Sequence, residues 1–176
     1  GVIKIAGIGA SALAASALVG SKATSVGGKV ADLALNAVLI AGTANLANLL
    51  DLRPGRALKA TVLVATPLSY FSCAAAKTPA SPASAQRLLA SGLNAVAITA
   101  LVEDLQETTM LGDTGANAAG ALLGTSLAAN DSWKLRLGTA LGVVGLILAS
   151  EKVSFSKVIA ANPALKWLDQ LWRRPL

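Results

Sequence analysis

The sequence predicts an all-α fold: a polytopic integral membrane helical bundle of about six transmembrane helices, followed by an amphipathic C-terminal tail. Three observations predict it. Of the 176 residues, 54% are hydrophobic and only 14% are charged, whereas a soluble domain is about a quarter charged. The apolar residues fall into six runs close to the length that crosses a bilayer, about 20 residues. Prolines, amides and most charges collect between those runs. Residues 1–150 therefore read as a transmembrane helical domain and residues 151–176 as a cytoplasmic amphipathic tail.

The first run, Gly1–Gly20, is rich in Ala and Gly and barely interrupted by Lys4. It resembles a signal peptide in composition, but further spans follow, so it reads as a span. After the polar turn Ser21–Gly28 comes Val30–Leu50, which runs into Asn45, Asn48 and Asp51. At i, i+3 and i+6 these three share one helix face. Pro54-Gly55 stops the helix, and Arg53, Arg56 and Lys59 crowd the exit. Ala60–Ala76 is the third span, with Pro67 as an expected kink. Lys77–Ser84 is a loop by its two prolines and its Ser and Thr residues.

Leu88–Leu105 is the fourth span, with Glu103 and Asp104 in its last turn. The polar stretch Gln106–Asn117 overlaps the start of the fifth span, Thr114–Ala129, and Leu135–Ala149 is the sixth. In the tail, Val153, Ile159, Leu165, Leu168 and Leu171 stand among Lys and Arg. That pattern suits a helix lying on the membrane surface, broken at Pro163. Small residues recur as Gly120 and Gly124, and as Gly138, Gly142 and Gly145. They allow close helix–helix approach, within one chain or between copies.

Composition also excludes function classes. Histidine is absent and Cys73 is the single cysteine, so neither a His-based site nor a disulfide framework is available. The net charge is +6 with 3% aromatics, a poor basis for nucleic-acid binding. Cations at the ends of apolar runs are better explained by topology and anionic lipid. With six spans, one side collects Lys4, Arg53, Arg56, Lys59, Lys152, Lys157, Lys166, Arg173 and Arg174. The other holds Lys22, Lys29, Lys77, Arg87, Lys134 and Arg136. Nine against six is a modest bias that places both ends in the cytoplasm. Asp51 and Asp113 then face one another at the same membrane surface.

Those two loops carry the residues with chemistry to offer. Amides and a carboxylate at the foot of an apolar helix are costly in hydrocarbon unless they line a protein interior or bind something polar. In the second loop Gly112 and Gly115 flank Asp113, and Thr114 adds a hydroxyl. A helix starting there points its N-terminal amides at the loop, a good place for phosphate. Taken singly, each feature reads as ordinary capping and snorkelling anchors.

Taken together, the loops resemble two motifs of the polyprenyl-phosphate N-acetylhexosamine-1-phosphate transferases, the membrane family that includes phospho-N-acetylmuramoyl-pentapeptide transferase. The resemblance rests on Asn45, Asn48 and Asp51, then on Leu111-Gly112-Asp113-Thr114-Gly115 two spans later. It implies transfer of a phospho-N-acetylhexosamine from a UDP-sugar to a polyprenyl phosphate at the cytoplasmic face, in cell-envelope glycan synthesis, with Mg²⁺. It implies Asp51 and Asp113 as catalytic carboxylates, Asp113 as the metal ligand, and Asn45 and Asn48 as substrate-binding residues lining the same cavity. Beside them the residues themselves add Arg53, Arg56 and Lys59, a corner where a polyanion could sit, and the Thr114 hydroxyl to the expected substrate-binding set.

The chain departs from the family pattern in several places. Pro54 replaces a second aspartate, Ala116 replaces a serine, and no late His-rich loop is present. The family's early Asp-Asp pair is also missing, its nearest candidate being Glu103-Asp104 between the two motifs. Gly1 in place of an initiator Met leaves room for a preceding segment to carry that pair. The alternative expectation is a catalytically degenerate relative, a lipid-phosphate-binding or scaffolding subunit of an envelope-assembly complex. Its partners would be a copy of itself or other envelope proteins.

Overall fold

The computed structural model describes residues 2–75, 78 and 81–173, and every regular element among them is an α-helix. Six long helices run α1 (Val2–Val19), α2 (Val26–Leu50), α3 (Arg56–Ala75), α4 (Pro82–Leu105), α5 (Gly112–Ala128) and α6 (Trp133–Lys152). Two short ones follow, α7 (Phe155–Ala161) and α8 (Pro163–Gln170). Lys77, Arg174 and the two residues after it lie outside the described residues, as do the side chains of Lys4 and Cys73.

Several helices begin before their apolar runs because a serine starts them. Ser25, Ser81 and Ser132 are extended, and their hydroxyls accept the N–H of Gly28, Ser84 and Leu135. Each satisfies one amide that the first turn would leave bare. Pro82 sits at the start of α4, where a missing N–H does no harm. Pro67 lies inside α3, as expected.

Among the described residues, three helices, α2, α4 and α6, are long and apolar enough to cross a membrane. The expected six is not met on that measure. Helix α5 has only 17 residues. The reason for α5 is visible in its packing: its surroundings are protein, which relaxes the demand for a long apolar surface.

Helix α2 is the centre, touching α1, α3, α5 and α6, while α3 pairs with α4 and α4 packs on α5. The closest approach is α5 on α2. A Cβ at Gly120 would lie 2.7 Å from Ala44 Cα, and one at Gly124 would lie 2.7 Å from Ile40 Cα. This small-residue pair therefore works within the chain. Around Gly138, Gly142 and Gly145 an added Cβ meets nothing within 4 Å. The core is built of small side chains, with Ala12, Leu39, Ile40, Ala128 and Ala140 in one cluster and Ala65, Ala90, Leu93 and Leu123 in another.

The helices alternate in direction. The turns after α2 and α4 meet at one end, where Gly55 bonds Asp104, and the turns after α1 and α5 meet at the other, where Lys22 pairs with Asp131. The tail breaks at the expected proline, since Asn162 Oδ1 accepts the N–H of Ala164 and Leu165 and so starts α8. Rather than standing apart, α8 returns to the start of α3.

Candidate functional site

The site is built where α2 ends and α5 begins. Asp51 closes α2, its N–H donating to the carbonyls of Ala47 and Asn48. The chain then turns through Pro54 and Gly55. Gly55 has φ +73°, and a Cβ there would lie 2.5 Å from Leu105 Cδ2, so no larger residue fits this turn. Its N–H donates to Asp104 Oδ2 at 2.6 Å. Asp104 is thus a buried strut from α4 that fixes the turn after α2.

The second loop joins the same corner. The Gly112 amide, at φ +64°, lies near the Asp51 carboxylate and favours its charged form. The Asp51 carboxyl is raised above its ordinary range, first by burial, then by the charge of Asp104, with Asp113 adding to the rise and the Gly112 N–H opposing it. The two aspartates singled out by the sequence therefore act on one another across 62 residues. Asp51, Arg53, Asp104, Glu107, Thr109 and Met110 line a cleft of about 300 Å³ at this corner.

The other sequence-derived residues divide. Arg53 faces the cleft and is exposed. Asp113 and Thr114 are exposed at the first turn of α5. Asn117, one turn on, donates from Nδ2 to the Asp113 carbonyl at 2.6 Å, and its Oδ1 is buried without a partner. Asn48 is half-buried, whereas Asn45 is exposed. Neither lines the cleft.

Arg56 and Lys59 are engaged elsewhere, which departs from the expected open basic patch. Both are buried, at 6% and 7% exposure. Arg56 donates from Nε and Nη2 to the two carboxylate oxygens of Asp169, at 2.6 and 3.2 Å, and from Nη1 to Ser156 Oγ at 2.9 Å. Lys59 Nζ donates to the carbonyls of Leu168, Asp169 and Leu171. An ammonium suits those carbonyls, the ones a helix C-terminus leaves bare. Burial pushes the Asp169 carboxyl up, but the Arg56 hydrogen bond and the nearby cations outweigh it and hold the group below its ordinary range.

Sequence reasoning assigned no role to Asn117 or Asp169, and weighed Asp104 only with Glu103 as a displaced candidate for the family's Asp-Asp pair. Asp104 had a signal, an acid at the foot of an apolar helix just as Asp51 is. Asp169 is the sole acid after Lys152 in an otherwise basic tail. Asn117 had no signal beyond its place one turn after Asp113.

Among the described residues no group of three or more His, Cys, Asp or Glu stands where it would hold a metal ion. Compared with protein-family models, curated proteins and solved structures, the chain finds no match.

Proposed function

We propose that the Asp51–Asp113 corner is a phospho-sugar transferase-type site, acting on a polyprenyl phosphate and a UDP-sugar at a membrane surface. The observation that carries this reading is the shared corner, where Asp51 lines one cleft with Thr109 and Met110 of the second loop and its carboxyl is raised in part by the charge of Asp113. Mg²⁺ fits this donor set in one respect. It commonly takes one or two carboxylates and completes its shell with water and substrate phosphate, so a three-acid cluster is not required. When bound, it would offset the charge of a diphosphate during displacement.

The protein's own contributions follow from placement. Asp113 and Asp51 would hold the cation, Arg53 offers a planar fork to phosphate oxygens, and the first-turn amides of α5 favour an anion beside Asp113. Asp104 positions the turn rather than touching substrate. All six long helices would cross the membrane with both chain ends on the cytoplasmic side, α5 being shielded by α2 and α4.

The test is Mg²⁺-dependent exchange of labelled UMP with the lipid-linked product in detergent, wild type beside Asp113→Asn. The amide keeps the shape and deletes a hard anionic ligand, so exchange should fall by orders of magnitude. Activity that survives the change removes Asp113 from the mechanism. For the topology, cysteines placed at Ser81 and Ser154 should be labelled from opposite membrane faces, and labelling from one face rejects it.

A second reading, a lipid-phosphate-binding or scaffolding relative without chemistry, is favoured by the engagement of Arg56 and Lys59 with the tail. Of the three cations near the turn, that leaves Arg53 facing the cleft. A folded wild type inactive on every UDP-N-acetylhexosamine would decide for this reading.

A further inference from the structure

At the opposite end of the bundle lies a second polar centre that the transferase reading does not use. Asp32 and Asp51 are 19 residues apart along α2, about 28 Å at 1.5 Å per residue. Arg136 of α6 is 5% exposed. It donates from Nη2 to Asp32 Oδ1 and from Nη1 to Asn36 Oδ1, both at 2.8 Å. Ser21 Oγ and the Lys22 N–H donate to the other oxygen of Asp32, at 2.7 and 3.3 Å, which ties the turn after α1 to this network. These bonds use two of the five guanidinium N–H groups, and Arg136 Nε is buried without a partner.

Arg136 also lines a cleft of about 380 Å³ between the ends of α1 and α5 and the starts of α4 and α6. Its polar lining includes two cations, Arg136 and Lys22, with Ser81 at the start of α4, and no carboxylate. Its apolar lining includes Leu18, Val19 and Leu89. Lys22 is paired with Asp131, but their side chains are 45% and 64% exposed, and such a surface pair is weak enough to exchange for another anion. A buried guanidinium donor without an acceptor is costly and calls for one. The α4 N-terminus adds favourable polarity for negative charge.

We propose that this cleft binds the anionic headgroup of a membrane lipid, a phosphate or carboxylate held by Arg136 and Lys22, with the acyl chain along Leu18, Val19 and Leu89. The apolar wall beside the cations is what selects a lipid over a free anion. The site is independent of any chemistry at Asp51 and Asp113.

The experiment uses the full chain, delipidated in detergent, titrated with phosphatidic acid, phosphatidylcholine or inorganic phosphate and read by native mass spectrometry and thermal shift. Phosphatidic acid should bind more tightly than phosphatidylcholine and raise the melting temperature, and inorganic phosphate should not reproduce the effect. Arg136→Lys keeps a cation opposite Asp32 but lacks the fork, and should weaken phosphatidic acid binding about tenfold. Ala85→Phe adds bulk at an exposed lining position away from the ion pair, and should abolish the preference while the fold is retained. If Arg136→Lys does not fold, Ala85→Phe decides alone. Equal binding of the two lipids, or a preference that persists in Ala85→Phe, overturns the proposal. Inorganic phosphate acting as strongly as phosphatidic acid also overturns the lipid assignment, in favour of a soluble anion.

Discussion

The tail is clamped to the bundle by one buried ion pair, and Asp169→Ala tests how much that clamp contributes. Arg56 and Asp169 meet through two parallel hydrogen bonds, and their side chains are 6% and 8% exposed. Removing the carboxylate leaves a buried guanidinium whose other bond is to Ser156 Oγ. Breaking a buried pair by deleting one partner costs about 3–5 kcal/mol. Helices α7 and α8 pack chiefly on each other, so the ion pair, the Lys59 hydrogen bonds to the Leu168, Asp169 and Leu171 carbonyls and a few apolar contacts hold them to α3. Taking roughly 3 kcal/mol, the docked-to-released ratio should fall about a hundredfold.

Hydrogen exchange read by mass spectrometry checks this directly. Peptides covering residues 155–171 should lose protection in Asp169→Ala, while those from α2 and α5 keep theirs. Unchanged exchange in the tail would refute the clamp. The pH dependence has a definite sign. The folded-state pKa of Asp169 lies below its ordinary value of 3.8, so its contribution is fully present above that value. It is lost as pH falls through the folded value. Tail protection should therefore be flat from neutral pH to about pH 4 and drop only in stronger acid.

Two further predictions concern stability. Gly120→Leu drives a side chain into the α2 backbone near Thr43 and Ala44 and should destabilise by at least about 1–3 kcal/mol; Gly138→Ala, in open space, should leave the melting temperature in detergent unchanged. Equal melting of Gly120→Leu and wild type would reject the α2–α5 contact. Arg136→Met strands Asp32 inside the bundle and should cost about 3–5 kcal/mol, with most of it regained in the Arg136→Met/Asp32→Leu double variant. Failure of the double variant to recover would show that the network acts through more than charge pairing.

By itself the sequence determined the helical class, the long apolar helices and the polar corner. Each is a local property: apolar runs, proline and glycine punctuation, and Asn162-Pro163 or Ser25 at a helix start are legible wherever they stand. The residues of the corner were legible too, because a carboxylate at the foot of an apolar helix is costly enough to be noticed. What only the tertiary structure decided is which partner each charged group found. Arg53, Arg56 and Lys59 read as one basic patch, yet Arg53 faces the cleft while the other two hold the tail. Arg136 counted as a topogenic surface cation, yet it is buried on Asp32. Gly120 and Gly124 could have served a contact between copies, and they serve α2 instead. The physical reason is common to all three. A charge or a small residue declares its need for a partner locally, but the partner lies tens to a hundred residues away, and only packing brings it near.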